Sequence, residues 1–99
     1  MMTPYTGYVR YMLQFYFRSL DKTSFKNDRD RINWEACNKV VNRFPTRDRD
    51  VFRYVYGEFD TLADNVFMFS RESLLNQDVI WKMLYELEKE VAVERGLWL

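Results

Sequence analysis

A chain of 99 residues can bury one modest core without disulfide or metal staples. Cys37 is the only cysteine and there is no histidine, which excludes an internal disulfide, a His-paired thiol nucleophile and a His-containing zinc site. The formal net charge is zero but unevenly spread: residues 1–50 carry ten Lys/Arg against six Asp/Glu, and residues 51–99 carry five against nine.

The opening "MMTPYTGYVRYMLQFYFR" lacks the basic start and unbroken apolar run of a secretory leader, because Arg10 and Arg18 interrupt it. No stretch reaches the roughly 18 apolar residues of a membrane span. A soluble, cytoplasmic protein with a reduced thiol is therefore expected. Only three glycines and two prolines punctuate the chain, which favours helices over short strands and turns.

The first segment, residues 5–20, fits two templates. As a helix it aligns Tyr5, Val9, Leu13, Tyr16 and Leu20. As a strand it alternates Val9, Tyr11, Leu13, Phe15 and Phe17 with more polar neighbours. Length and Pro4 favour the helix. "DKTSFKND" (21–28) reads as a loop. A second helix is expected over about 30–43, capped by Asp28 or Asp30, with Ile32, Ala36, Val40 and Phe44 on one stripe beside Cys37 and Val41. "PTRDRDVFRYVYG" predicts a third, starting at Pro45 or Thr46, turning Val51, Phe52 and Val55 inward and stopping at Gly57.

"TLADNVFMFSRE" predicts a short fourth helix. Thr61 and Asp64 have capping-box spacing, and Leu62, Val66 and Phe69 face inward. Asn76 caps a fifth helix over about 77–95 whose inner stripe is Ile80, Met83, Leu84, Leu87 and Val91. The tail "GLWL" is expected to fold back onto the body or onto a second copy. The fold class is thus all-α: a compact bundle of about five helices in a single domain, with aromatic N-terminal helices (1–43) and a helix-turn-helix half (44–99).

Residues 43–95 resemble region 4 of bacterial sigma factors, and the whole chain resembles short sigma-like proteins of phages and integrative elements. "FPTRDRDVF" (44–52) is similar to the sigma entry Leu-Pro-x-Arg-x-Arg-x-Val-aliphatic, with Phe44 in place of Leu. Ser70 fills the position where two crossing helices need a small residue. Leu75 fills the apolar turn position, Asn76 the cap, and Ile80 and Leu84 the inward positions. Leu74 stands where the turn glycine is expected, so the turn must open differently or slide by one residue.

The resemblance implies a small non-enzymatic helix-turn-helix transcription regulator that binds duplex DNA, alone or with RNA polymerase, and that forms a homodimer or rides on the polymerase to compensate for its neutral charge. On a reading helix, Asn76, Gln77, Asp78, Trp81, Lys82 and Tyr85 would point outward. Gln77 suits an adenine edge, Lys82 a guanine or phosphate, Asp78 a cytosine amine and Trp81 a thymine methyl. Arg47, Arg49 and Arg53, with Arg71 near the turn, are the phosphate candidates; in "TRDRDVFR" they equally suit a solvated face of alternating charge.

The competing expectation is a protein-binding module. Its tryptophans and tyrosines would be anchors, and its acidic second half would occupy the cationic groove of a host nucleic-acid enzyme, as an anti-defence (anti-CRISPR-type) inhibitor does. A glycine-rich phosphate loop, metal-ligand spacing and a nucleophile beside a base are all missing, so neither catalytic residues nor cofactors are expected.

Overall fold

Three short polar side chains set where helices begin. Asn27, Thr61 and Asn76 have extended backbone, and each accepts a hydrogen bond from a backbone N–H two or three residues on: Asp30, Asp64 and Asp78 respectively. Each satisfies one of the donors that a helix start leaves without an internal partner. In the computed structural model, which describes residues 4–21 and 24–97, these starts define α2 (Asp28–Val41), α4 (Leu62–Ser73) and α5 (Gln77–Arg95). The others are α1 (Thr6–Phe17), preceded by Tyr5, and α3 (Thr46–Gly57), preceded by Pro45 with its φ of −60°.

The architecture is all-α, with five helices and no strand among the described residues. The helical reading of the first segment is correct. α5 runs through the centre of the bundle and touches each of the other four helices. α1, α2 and α4 pack along it, and α3 bridges α1 and α4. The core is built from Val9, Met12 and Leu13 of α1; Cys37 and Val40 of α2; Phe52, Val55 and Tyr56 of α3; Val66 of α4; and Ile80, Leu84, Leu87 and Val91 of α5.

Several local expectations are corrected. Asn27, rather than Asp28 or Asp30, caps α2, because only Asn27 has the extended backbone that turns its side chain onto the first turn. Ile32 and Leu20 are exposed. In α2 the buried stripe is rotated to Asn33, Ala36, Cys37, Val40 and Val41. Asn33 is held there by two hydrogen bonds: it donates to the Tyr8 hydroxyl and accepts from Arg95 Nε. Phe44 is half-buried, edge-on to Phe52. Met83 is likewise only half-buried. Cys37 is fully enclosed, and burial pushes its thiol up to about 12. Of the tail, Leu97 packs against the core, while Trp98 and Leu99 lie outside the described residues.

Candidate functional site

α4 and α5 form a helix–turn–helix unit closed by two serines. The Ser73 hydroxyl donates to Phe69 O and accepts from the Leu75 N–H; the Ser70 hydroxyl donates to Leu75 O. Ser70 is thus more than a small residue at a crossing, since its hydroxyl fixes the turn. Leu74 has φ 63° and ψ 16°, the left-handed conformation for which glycine is usual. Leucine sits in the glycine slot, and with 91% of its surface exposed it has room to do so.

Beyond the turn, Ile80 and Leu84 point into the core and the opposite face of the first two turns of α5 points to solvent. Gln77, Asp78, Val79 and Lys82 are exposed there, and Tyr85 stands at the rim. The Asn76 side chain is engaged as the cap, 2.7 Å from Asp78 N. Trp81 is half-buried: its ring stacks on Tyr85 at 5.9 Å and the Arg10 guanidinium lies 5.5 Å above it, so it is wedged into the α1–α5 seam. The outward face is therefore mainly Gln77, Asp78, Val79, Lys82 and Tyr85, with one edge of Trp81.

The arginines do not converge on this face. Arg49 is engaged locally, donating to Asn42 Oδ1 and Thr46 Oγ1. Arg49 and Arg53 both lie near Tyr16. Burial and Cys37 raise the pKa of its hydroxyl, and these two guanidiniums oppose the rise. That region is the α1–α2–α3 end of the bundle. Arg47 is almost fully exposed, 3.8 Å from Asp48. Arg71 belongs to the last turn of α4 and lies over the Phe67 ring at 5.7 Å.

Three of the four glutamates in the acidic half of α5 are paired with cations of α1 and α2, while Glu86 is exposed. Glu88 is buried, paired with Arg10 at 2.9 Å, and accepts the Tyr56 hydroxyl at 2.6 Å. Burial first, then the neighbouring Glu88, pushes the Tyr56 hydroxyl well above its ordinary range. Glu94 accepts from Lys39 and Arg43, and these hydrogen bonds hold its carboxyl below the usual value. Glu90 lies 4.0 Å from Arg43. The basic first half of the chain thus meets the acidic second half within the fold.

Sequence reasoning missed this pairing, because none of these contacts is local. It also missed the exposed Phe59, Phe67, Met68, Leu75 and Val79, which lie at the α3–α4 loop, on the outer face of α4 and around the turn. A signal for Phe67 and Met68 was present: both fall off the stripe Leu62, Val66, Phe69. No helix among the described residues is long and apolar enough to cross a membrane. No protein-family model, curated protein or solved structure matches the chain.

Proposed function

We propose that this protein is a small sigma-like helix-turn-helix regulator of a phage or integrative element, acting in the cytoplasm, which presents the first two turns of α5 to duplex DNA. The observation that carries the reading is the state of the rest of α5. Glu88, Glu90 and Glu94 are paired with Arg10, Arg43 and Lys39, which leaves Glu86 as the exposed carboxylate of that half to set against the duplex. The same pairing weakens the competing reading, in which those carboxylates fill a cationic groove on a host enzyme.

Gln77, Asp78 and Lys82 are the base-edge candidates, and Tyr85 lies at the sugar or methyl edge. Few cations are left for phosphate: Lys82 lies on this face, while Arg47 and Arg53 lie off it on α3. Binding by one copy therefore falls in the weak range of about 10⁻⁴–10⁻⁶ M at physiological salt. RNA polymerase or a second copy supplies the remaining affinity.

Fluorescence anisotropy on labelled duplex DNA at two salt concentrations tests the reading. The expected result is salt-sensitive binding with a shallow log–log slope, about −0.9 for each phosphate contact made. Lys82→Ala should make the slope shallower by about one contact, while Gln77→Ala weakens binding without changing it. Absence of binding at low salt, or a wild-type curve for the Gln77→Ala/Lys82→Ala double variant, would overturn it.

A further inference from the structure

Among the described residues, nothing covers the outer face of α4. Asp64, Phe67, Met68 and Arg71 form a four-residue diamond on it, Asp64 and Arg71 each lying three or four residues from both Phe67 and Met68 and so adjacent to them on the helix surface. All four are exposed, with Phe67 and Met68 at the centre, Asp64 toward the N-terminus and Arg71 toward the C-terminus. Monomeric proteins seldom leave two large apolar side chains adjacent at the centre of a charged frame.

We propose that this face pairs with the same face of a second copy of the chain, α4 against α4 in antiparallel orientation, about a two-fold axis passing between Phe67 and Met68. A two-fold interface must be self-complementary, with residue i meeting j and j meeting i. Here the arithmetic closes. An axis midway between 67 and 68 sets Asp64 opposite the partner's Arg71, twice over, with the two copies of Phe67 meeting on one side of it and the two copies of Met68 on the other.

No other class of partner matches the face as well. A polyanion would be repelled by Asp64, and a strongly acidic or basic protein would leave one of the two charges opposed. Glu72, the neighbouring carboxylate, accepts from the Tyr54 hydroxyl. The ends of the helix agree with the pairing. Antiparallel packing brings the α3–α4 loop of one copy, with Phe59 at 85% exposure, to the α4–α5 turn of the other, where Leu74 and Leu75 stand exposed. Those ends extend the contact beyond α4 itself, toward the roughly 800 Å² per partner of a standard stable interface.

The pairing removes Arg71 from the set available to phosphate. It stands independently of DNA binding, and its test contains no nucleic acid. Sedimentation equilibrium of the full chain should give twice the 12.2 kDa monomer mass as concentration rises. Arg71→Asp and Asp64→Arg should each weaken the dimer at least about tenfold by opposing like charges. The double variant Asp64→Arg/Arg71→Asp restores opposite pairs and should recover association. Circular dichroism checks that each stays helical; if a charge reversal does not, Met68→Lys, at an exposed position, probes the same face and should weaken the dimer. A monomer at every concentration, a dimer indifferent to Arg71→Asp or to Met68→Lys, or a helical double variant that stays monomeric would overturn the proposal.

Discussion

Glu88 is the residue on which three helices meet. It is a carboxylate with an 8% exposed side chain, and it accepts from Arg10 on α1 and Tyr56 on α3. A buried charge is tolerated only when paired and hydrogen-bonded, and breaking one partner away costs far more than the pair contributes. Arg10→Ala is therefore expected to lower the unfolding free energy by about 3–5 kcal/mol. Tyr56→Phe, which leaves the ion pair intact, should cost about 1.5–3 kcal/mol. Urea unfolding measures both, and equal losses would contradict the arrangement. Arg10→Ala also uncovers Trp81, so its emission should shift while the folded state persists.

At the scale of elements, the turn between α4 and α5 carries the main local conflict between sequence and backbone. Leu74 adopts positive φ with its side chain in solvent, so nothing it packs against compensates for a conformation that L-residues avoid. Leu74→Gly should stabilise the protein by about 0.5–1 kcal/mol. Relief of the left-handed strain exceeds the extra chain entropy of glycine. Thermal unfolding at low protein concentration reads this directly. A loss of stability instead would mean that Leu74 is held by a contact made in the monomer.

For the whole molecule, the relevant quantity is where the charges meet. Net charge is zero, yet the halves of the chain are opposite in sign, and α2 and α5 bring Lys39 and Arg43 onto Glu94 and Glu90. Glu94 has its pKa lowered in the fold, chiefly by hydrogen bonds from Lys39 and Arg43. It therefore contributes stability that is present above its unfolded value of 4.5 and lost as pH falls through the lower, folded value. Glu94→Gln should flatten the acid limb of a stability–pH curve and reduce the sensitivity of stability to salt, because these partly exposed pairs are screened. An unchanged acid limb would show that the pairs do not form in solution.

The features decided by neighbouring residues could be read from the chain alone. Asn76 and Thr61 cap because a short side-chain acceptor meets N–H groups two or three residues away, and Ile80, Leu84, Leu87 and Val91 line up because the helical period places them so. The helix count, the α4–turn–α5 unit and most of the core followed from such local rules. Only the tertiary structure decided what required residues distant in sequence. It placed Glu88 inside, since Arg10 lies 78 positions away. It turned Asn33 inward in place of Ile32, wedged Trp81 against α1, and set Arg49 and Arg53 near Tyr16, away from Arg71. Periodicity states which residues share a face of one helix, but the partner of a face, and the opposite charge that makes burial tolerable, depend on how the other helices pack around it.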